Sequence, residues 1–413
     1  MENLPKEIGD RVQGDLEVLE RGVVEIYSRD ELRQRLAESY ATGKPLRIKL
    51  GMDPTAPDIH LGHTVVMRKM RQFQDRGHKA VLIIGDYTAR IGDPSGQNKT
   101  RPVLSGEQID ANARTYFEQA GTVLDLSPKK LEVRYNSEWL SKLSFADVIR
   151  LASKMTVARM MERDTFALRF KAGDAIGLHE LLYPLMQGYD SVMIESDLEL
   201  GGTDQTFNNL VGRDLQRDVG QRPQMVLVMP ILVGLDGKEK MSKSKGNYIG
   251  VTEPPAEMFG KVMSIADELM GNYHELLTAV SAEERERIRR GEVHPRQAKA
   301  RLAGLIVEQF HGPEAAREAS AEFDRVFARK ELPSDMPEVK IAAAELEGGA
   351  IWIARLMTLC GFAASTSEAM RLVKQGGVSL DERPVSDEKG KVKVASGQIL
   401  KVGKRRFARL KVE

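Results

Sequence analysis

The chain has 413 residues, enough for two or three domains with sizeable cores. Its 61 Lys and Arg residues nearly balance 60 Asp and Glu residues, which excludes a chain-wide electrostatic nucleic-acid binder and leaves only local basic surfaces. A single cysteine, Cys360, excludes a disulfide framework, and the lack of a long apolar run or an apolar leader predicts a cytoplasmic protein without a membrane span.

The first 250 residues alternate short apolar runs with amphipathic stretches, which is typical of a parallel α/β sheet. Strands are predicted at 46–50, 80–85, 131–135 and 224–229. A helix predicted at about 59–76 joins the first two strands, and this order implies a βαβ unit. Residues 1–250 are therefore predicted to form a Rossmann-like doubly wound parallel sheet, with an inserted helical region at about 140–195.

The rest of the chain has a different character. Residues 251–335 are highly charged, lack any strand signal and are predicted to form an α-helical domain. Residues 336–349 are predicted to be a linker. The last segment, 350–413, is predicted to be a small α+β domain that contains a helix capped by Ser365 and a hairpin turning near Gly403.

The tetrad His60-Leu61-Gly62-His63 opens the helix predicted after the first strand. A helix N-terminus presents free N–H groups that suit phosphate, and histidines three positions apart share one helical face. Gly62 would let a flat base approach the backbone, and Asp58 is predicted to cap the helix. The tetrad alone is equally compatible with an ordinary helix start.

A second motif, Lys240-Met241-Ser242-Lys243-Ser244, lies 180 positions downstream in a polar loop. Lysines on a small-residue loop suit a flexible arm that closes over a triphosphate and stabilises charge on departing pyrophosphate. By itself, such a loop is more often a solvated basic segment. Combined with the first tetrad in a βαβ fold, it predicts that both motifs converge on one triphosphate.

A third pattern places Tyr183, Gln187 and Asp190 at positions i, i+4 and i+7, so that they share one face of a helix. A phenol, an amide and a carboxylate on one stripe are costly to bury without partners, which favours a polar pocket over a packed core. A helix face turned to water is the alternative. Pro184 predicts that the helix starts or kinks nearby.

The C-terminal tail is locally basic. Residues 385–413 carry nine Lys and Arg residues against three acids, which indicates a phosphate-binding surface in a chain of net charge +1. A solubilising tail is the alternative, and Phe407 is predicted to be hairpin core. The RNA-binding residues predicted here are Lys401, Lys404, Arg405, Arg406 and Arg409.

The histidine tetrad and the five-residue lysine motif resemble the HIGH and KMSKS signatures of the class I aminoacyl-tRNA synthetases. Within that class, the chain resembles the bacterial tyrosyl-tRNA synthetases from about residue 30 to its C-terminus. Longer stretches carry this resemblance: Asp53-Pro54-Thr55-Ala56, Ile91-Gly92-Asp93-Pro94-Ser95-Gly96, Tyr183-x3-Gln187-x2-Asp190 and Gly201-Gly202-Thr203-Asp204-Gln205.

The resemblance implies an activity and its partners. It implies ATP-dependent activation of L-tyrosine and transfer of the tyrosyl group to tRNA(Tyr), with Mg²⁺ accompanying ATP as substrate, no tightly bound cofactor and no protein metal site. It also implies a homodimer formed through the inserted region. Residues 251–335 would contact the anticodon region of the tRNA, and residues 350–413 would be an S4-like RNA-binding domain.

The resemblance also implies roles for individual residues. Asp93, Tyr183 and Gln187 would hold the α-ammonium group of the substrate, and Asp190 would accept a hydrogen bond from its phenol hydroxyl. The tyrosine-binding set would be Lys49, Asp93, Tyr183, Gln187, Asp190 and Gln205. The catalytic set would be Thr55, His60, His63, Lys240 and Lys243. The ATP-binding set would be Gly51, Asp53, Gly62, Gly202, Asp204, Lys240, Met241, Ser242, Lys243 and Ser244.

Two places depart from the family pattern. Lys49 stands where many members have a tyrosine that touches the substrate hydroxyl, and it could instead pair with Asp190 or contact the phenol oxygen. The segment 97–101 differs from the basic loop that is often found there. It leaves Arg101 as a phosphate contact and Lys99 as a weaker one.

Three rival functions are weighed against this one. Other HxGH nucleotidyltransferases share the first tetrad but lack the lysine loop and do not need an RNA module. Tryptophanyl-tRNA synthetases lack an S4-like tail and do not need a carboxylate for a phenol. A non-enzymatic RNA-binding protein derived from a synthetase would not need the intact set His60, His63, Asp93, Asp190, Lys240 and Lys243.

Overall fold

The computed structural model describes residues 5–54, 57–94, 105–328, 336–403 and 406–413. The chain forms two compact units, Met1–Ser320 and Ala321–Glu413. The strands of the first unit are β1 Glu25–Tyr27, β2 Arg47–Met52, β3 Lys79–Ile84, β4 Leu131–Tyr135, β5 Leu198–Gly202 and β6 Met225–Met229. The helices that begin in it are α1 Lys6–Leu19, α2 Arg29–Thr42, α3 Leu61–Asp75, α4 Gly106–Ala120, α5 Ser137–Leu140, α6 Phe145–Ala152, α7 Val157–Met160, α8 Asp164–Ala172, α9 Tyr183–Met193, α10 Thr206–Asp218, α11 Pro255–Met263, α12 Met270–Leu277, α13 Ala282–Arg289 and α14 Pro295–Phe323.

These six strands form one sheet in the order β1-β6-β5-β2-β3-β4. The strands from β6 to β4 run parallel to their neighbours, and β1 runs antiparallel to β6. The chain moves from β2 outward to β3 and β4, then returns to place β5 and β6 on the other side of β2. The predicted doubly wound sheet is therefore confirmed, and its topological switch lies between β2 and β5.

Strands β3 and β6 are apolar because helices pack against the sheet. In β3 every residue from Ala80 to Ile84 is buried, and every residue of β6 is buried. Val81 and Ile83 pack in one cluster with Trp139 of α5 and Met186 of α9. Helix α3 also packs against β3 and buries Phe73 on its apolar side. Such two-sided burial explains why β3 and β6 are nearly continuous apolar runs in the sequence.

Helices fill the two regions where the sequence predicted them. The region at about 140–195 holds α6, α7, α8 and α9, and the stretch from 255 to 323 holds α11 to α14. Pro184 lies in the first turn of α9, so it starts this helix without kinking it. Helix α14 is interrupted at Gly312, where φ is 87°. None of the helices formed by the described residues has the length and apolarity to cross a bilayer.

The second unit, Ala321–Glu413, contains the small α+β domain predicted for residues 350–413 and begins earlier in the chain. Its elements are β7 Glu338–Ile341, β8 Ala350–Trp352, α15 Ile353–Leu359, α16 Thr366–Lys374, β9 Val378–Leu380, β10 Arg383–Pro384, β11 Lys391–Lys393, β12 Ile399–Val402 and β13 Arg406–Val412. Five strands form a sheet in the order β10-β9-β12-β13-β7, and β11 pairs with β8. The hydroxyl of Ser365 caps α16, and β12 and β13 form the predicted hairpin around Gly403, where φ is 66°.

The segment predicted as a linker, 336–349, differs from that prediction because it contains strand β7. This strand pairs in parallel with β13. It lies at the edge of the sheet, and Ile341 is its fully buried residue. An edge strand of four residues needs little apolar sequence, so its signal is weak beside the neighbouring prolines and glycines.

Candidate active site

A cavity of about 380 Å³ opens at the carboxyl ends of β2 and β5, at the topological switch of the first unit. Gly51 and Gly202, near the ends of these strands, line it, and so do Asp53 and Asp204, which follow the strands. The beginnings of α3 and α9 and the chain after β6 complete its wall. The cavity therefore lies where doubly wound sheets bind their ligands.

The two motifs that lie 180 positions apart in the sequence meet at this cavity. Two backbone hydrogen bonds, 2.9 and 3.0 Å long, join residues 59–61 to residues 249–251, just beyond the lysine loop. A Cβ atom built onto Gly62 would lie 3.6 Å from the Cβ of Met241. The motif residues that line the cavity are His60, Gly62, His63, Lys240, Met241, Ser242 and Ser244.

His60 is the N-cap of α3, a place that the sequence predicted for Asp58. The prediction was wrong because the chain is still extended at His60, with φ −120° and ψ 168°. The helix therefore begins at Leu61, and its N-cap lies two residues after Asp58. The Nδ1 atom of His60 accepts a hydrogen bond from the backbone N–H of Gly62 at 3.2 Å. The Nδ1 atom of His63 accepts one from the backbone N–H of His60, also at 3.2 Å. A Cβ atom at Gly62 would lie 2.9 Å from the His60 ring, which explains the glycine.

Both histidines of the tetrad are neutral at physiological pH. Burial, the adjacent ring of His63 and the lysines of the loop lower the pKa of His60 to about 2. Burial and the same lysines lower the pKa of His63 to about 4. Because Nδ1 of each ring accepts a backbone N–H, the ring proton lies on Nε2. Each imidazole can thus donate a hydrogen bond without carrying a charge.

The two lysines of the loop form ion pairs in this structure. The Nζ atom of Lys240 lies 3.2 Å from an oxygen of Asp204, and that of Lys243 lies 2.6 Å from an oxygen of Asp58. All four side chains are partly exposed. Lys243 does not line the cavity in this arrangement, whereas Lys240 does. We call these two pairs the mouth of the cavity.

Helix α9 presents Tyr183, Gln187 and Asp190 to the cavity along one face, as their spacing predicted. We call these three residues the floor of the cavity. The hydroxyl of Tyr183 donates to Asp53 at 2.8 Å. Burial, then the charges of Asp53 and Asp93, raise the pKa of Tyr183 well above its usual value. The phenol therefore stays protonated, and its oxygen keeps a lone pair that can accept a further hydrogen bond.

Asp93 reaches the cavity from the loop after β3. One of its oxygens lies 3.0 Å from a guanidinium nitrogen of Arg163, which is a buried residue next to α8. Its other oxygen accepts from the side-chain amide of Gln205 at 2.6 Å. The amide of Asn208 bridges Gln205 and Gln187 at 3.1 and 3.0 Å. These contacts join Asp93 and Gln187, two of the three predicted ammonium-binding residues, into one hydrogen-bonded network.

Asp190 is the deepest of the predicted carboxylates, with 3% of its surface exposed. The indole N–H of Trp139 donates to one of its oxygens at 2.8 Å, and the amide of Asn136 donates to the other at 3.3 Å. Burial raises the pKa of Asp190 to about 7, although Lys49 and the two N–H donors oppose the rise. The carboxylate is therefore held in place by two donors and is poised between its two protonation states.

Lys49 does not pair with Asp190 and does not line the cavity, so both predictions for it are corrected. Its ammonium group lies 2.9 Å from Glu199 and donates to the backbone carbonyl of Gln187 and the hydroxyl of Ser191 at 2.8 and 2.7 Å. An ammonium has three N–H groups, and these three partners account for all of them. Lys49 therefore has no N–H left for a substrate phenol.

Four further residues at the site were missed by the sequence analysis: Asn136, Trp139, Arg163 and Glu199. Asn136 immediately follows the predicted strand β4, so the rule that ligands bind at the carboxyl ends of parallel strands was a usable signal. Arg163 lies 70 positions from Asp93, and no local pattern connects the two. Glu199 lies inside a buried strand, where a carboxylate is not expected without a partner.

Some predicted residues lie outside the described part of the chain. They are Thr55, Lys99, Arg101, Lys404 and Arg405. In the second unit, the pairing of β12 with β13 places exposed Lys401 and Arg409 on one face of the hairpin. Arg406 points to the other face and donates to the backbone carbonyl of Phe362. Phe407 is buried, as predicted, beneath the Lys401 side chain.

The fold and the cavity agree with one family of proteins. Residues 41–328 match the family described as tRNA synthetases class I (W and Y), and the chain belongs to that family. Two similar relatives from this family are tyrosine–tRNA ligases. The tyrosine–tRNA ligase of Moorella thermoacetica is 56% identical over 403 residues, which is 97% of this chain and 96% of that relative. The tyrosine–tRNA ligase of Ralstonia nicotianae is 55% identical over 399 residues, which is 96% of this chain and 99% of that relative.

Solved structures give the same fold. A C-terminally truncated mitochondrial tyrosyl-tRNA synthetase from Aspergillus nidulans superposes with a TM-score of 0.64 at 23% identity, covering 78% of this chain and 99% of that one. The tyrosyl-tRNA synthetase from Archaeoglobus fulgidus complexed with L-tyrosine gives 0.60 at 24% identity, covering 75% and 99%. The family resemblance predicted from the sequence is confirmed by the family match over residues 41–328 and by the relatives.

Proposed function

We propose that this chain activates L-tyrosine with ATP, forming tyrosyl-adenylate and pyrophosphate, and then transfers the tyrosyl group to the 3′ end of tRNA(Tyr) with release of AMP. One observation carries the proposal: a buried carboxylate, Asp190, lies in a cavity at which the histidine tetrad and the lysine loop also meet. Relatives named tyrosine–tRNA ligase, 55% and 56% identical over nearly the whole chain, support it.

The floor of the cavity recognises tyrosine. The Asp93 carboxylate, the Tyr183 oxygen and the Gln187 amide oxygen are acceptors that suit an α-ammonium group. Asp190 accepts the hydrogen bond of the substrate phenol. Phenylalanine lacks that donor and would leave the buried carboxylate without it, which penalises the wrong substrate. Tyrosyl-tRNA synthetases are themselves the established example of this effect, at about 10⁵-fold discrimination.

The nucleotide side carries out an in-line displacement. An oxygen of the tyrosine carboxylate attacks the α-phosphorus of ATP, and the bond from that phosphorus to the bridging oxygen breaks with its electron pair leaving on pyrophosphate. His60 and His63 donate neutral Nε2–H bonds to phosphate oxygens, a role that their lowered pKa values support. Donors that are already oriented stabilise the charge that develops in the transition state without further reorganisation.

The mouth supplies positive charge during the reaction. In this structure Lys240 pairs with Asp204, and Lys243 pairs with Asp58. Partly exposed pairs of this kind contribute about 0–1 kcal/mol, so a triphosphate can compete for the ammonium groups. We propose that ATP draws both lysines from their carboxylates onto the departing pyrophosphate. Asp204 is then available to the ribose, and Gly51 and Gly202 leave room for the nucleotide.

ATP brings Mg²⁺ with it, so the metal is part of the substrate in this proposal. Among the described residues, no group of three or more His, Cys, Asp or Glu side chains is placed to hold a metal ion. No tightly bound cofactor is proposed. The lone cysteine, Cys360, fits a reducing compartment, and the cytoplasm is the proposed location.

The second unit would bind the tRNA. Lys401 and Arg409 lie on one exposed face of its hairpin, in a segment with an excess of basic residues. Because β7 belongs to the same sheet, a truncation has to remove residues 336–413 to leave no broken sheet behind. The truncated chain is expected to keep tyrosine-dependent pyrophosphate exchange and to lose most tRNA charging. Equal loss of both activities would contradict an RNA-binding role.

The proposal includes a homodimer formed through the inserted region. Phe145, Leu168, Phe170 and Leu178 all lie in that region and are 66–83% exposed. We propose that these side chains form the contact surface between two copies of the chain. Sedimentation of the full chain is expected to give the mass of two copies. The double variant Phe145→Asp/Phe170→Asp is expected to give one, and a wild-type monomer would contradict the proposal.

Exchange of labelled pyrophosphate into ATP tests the enzymatic proposal directly. Exchange that depends on tyrosine, and not on tryptophan or phenylalanine, is the expected result. Tryptophan-dependent exchange would move the chain to the other branch of its family. No exchange with any amino acid would leave an RNA-binding protein, and exchange without any amino acid would favour a different nucleotidyltransferase.

A further inference from the structure

A buried ion pair lies beside the floor of the cavity, and no step of the reaction described above uses it. Lys49 on β2 and Glu199 on β5 are directly opposite each other in the register of the two parallel strands. Their charged atoms are 2.9 Å apart, and their side chains are 0% and 1% exposed. Charges this deep are costly to desolvate unless each has a full set of partners, so the pair calls for a specific explanation.

The partners of the pair are concentrated on helix α9. Lys49 donates to the backbone carbonyl of Gln187 and to the hydroxyl of Ser191. Glu199 accepts from the side-chain amide of Gln187 at 3.3 Å and from the hydroxyl of Ser191 at 3.1 Å. It also accepts from the amide of Gln224 at 2.5 Å. The pair thus forms hydrogen bonds with the main chain and the side chain of Gln187 on α9, and with the side chain of Ser191 one turn later.

The same pair acts on Asp190, which lies between these two anchor points in the sequence. The charged groups that shift the pKa of Asp190 are Lys49 on β2 and Glu199 on β5, and the charge of Asp190 in turn raises the pKa of Tyr183 on the same helix. The ammonium of Lys49 favours the charged form of the carboxyl, and the carboxylate of Glu199 disfavours it. Lys49 does not line the cavity, so it acts without touching a substrate.

We propose that the Lys49–Glu199 pair is a positioning element for tyrosine recognition, which fixes Gln187 and Asp190 on α9 in the geometry and charge state that bind the substrate. The inference rests on the proposed function, because it assigns the floor to tyrosine. In this chain Lys49 therefore does not contact the phenol directly. It holds helix α9 through its hydrogen bonds to Gln187 and Ser191. Discrimination for the hydroxyl then depends on Asp190 and on how firmly it is held.

The test measures tyrosine-dependent pyrophosphate exchange as a function of pH for the full chain and three variants. Lys49→Met removes the cation, and Glu199→Gln removes the anion while keeping hydrogen-bonding capacity. Lys69→Met is the matched control, because Lys69 is also a buried lysine but donates to the backbone carbonyls of Leu19 and Arg21, away from the floor.

Opposite shifts are the expected result. Lys49→Met should raise the KM for tyrosine by roughly 10- to 100-fold with little change in the KM for ATP, because α9 is misplaced. It should also move the pH midpoint of that KM upward, whereas Glu199→Gln should move the midpoint downward. Lys69→Met should lower the melting temperature and leave the midpoint unchanged.

Each other outcome counts against the inference. Midpoints that move in the same direction or stay fixed, or a tyrosine KM within about twofold of the wild type in folded Lys49→Met, would mean that the pair only fills the core. If Lys49→Met does not fold, the direction of the Glu199→Gln shift decides alone. Absence of tyrosine-dependent exchange in the wild type would instead remove the proposed function, and this inference with it.

Discussion

The floor and the mouth of the cavity are built in opposite ways. Floor residue Asp190 is buried, held by two N–H donors and backed by an ion pair that solvent does not reach. The mouth consists of two partly exposed ion pairs on a loop. Buried networks hold one geometry, while exposed pairs exchange partners at little cost. The difference indicates that selection of the amino acid relies on rigidity and that handling of the phosphates relies on mobility.

The largest effect on the choice of amino acid is expected from Asp190→Asn at the floor of the cavity. The amide keeps an oxygen but loses the charge, and one oxygen that now accepts an N–H would be replaced by a donor. Discrimination between tyrosine and phenylalanine is expected to fall by roughly 10²-fold or more, mainly through a higher KM for tyrosine. Pyrophosphate exchange with each amino acid measures this. Unchanged discrimination would remove Asp190 from the recognition of the hydroxyl.

A substitution at His60 tests whether the histidine tetrad acts on the phosphates or supports the floor of the cavity. His60→Ala removes one preoriented donor, and kcat for exchange is expected to fall by about 10²- to 10³-fold, while the KM for tyrosine stays near that of the wild type. Arg71→Ala is the control, because Arg71 lies on the same helix, pairs with exposed Asp75 and does not line the cavity. A parallel rise in the tyrosine KM would show that His60 supports the floor instead.

The pH dependence of kcat/KM for tyrosine distinguishes Asp190 from the two histidines of the tetrad. The pKa of Asp190 is raised from 3.8 to about 7, so the carboxylate is ionised above that pH and becomes protonated as the pH falls through it. The kcat/KM for tyrosine should therefore fall by about tenfold per pH unit below 7. Asp190→Asn should flatten this limb. The histidines, with pKa values lowered to about 2 and 4, should add no limb near pH 6.5.

The smallest effect is expected at the mouth. Asp58→Asn breaks the pair with Lys243, whose two side chains are 22% and 46% exposed. The free energy of unfolding should change by no more than about 1 kcal/mol, and exchange should change only a few-fold because Lys243 is freed for phosphate. Chemical denaturation and exchange kinetics measure both. A large loss of stability would mean that the mouth is as rigid as the floor.

The sequence predicted those parts of the fold that have a local signal. Strands β2, β3, β4 and β6 were predicted from alternating or continuous apolar residues, and the face of α9 was predicted from its spacing. Strand β5 was missed because Glu199 lies among its first buried residues and two glycines end it. In a sequence, a carboxylate among apolar residues favours a loop over a buried strand, because the residue that pairs with it cannot be recognised.

That partner illustrates why the rest of the site could not be predicted. Lys49 and Glu199 are 150 positions apart, and only the crossover that places β5 beside β2 brings them together. The same holds for Arg163 and Asp93, which meet because the helical region folds back over the cavity. Motifs locate reacting groups, but the contacts that orient them depend on topology.

The backbone bonds between residues 59–61 and residues 249–251 have a consequence for how the protein is made. They join segments that leave the ribosome far apart in time, with most of the sheet synthesised in between. A nascent chain that ends before residue 249 lacks the lysine loop's anchor on the tetrad. We therefore expect ATP-dependent activity only after residue 251 has left the ribosome, when both of these bonds can form.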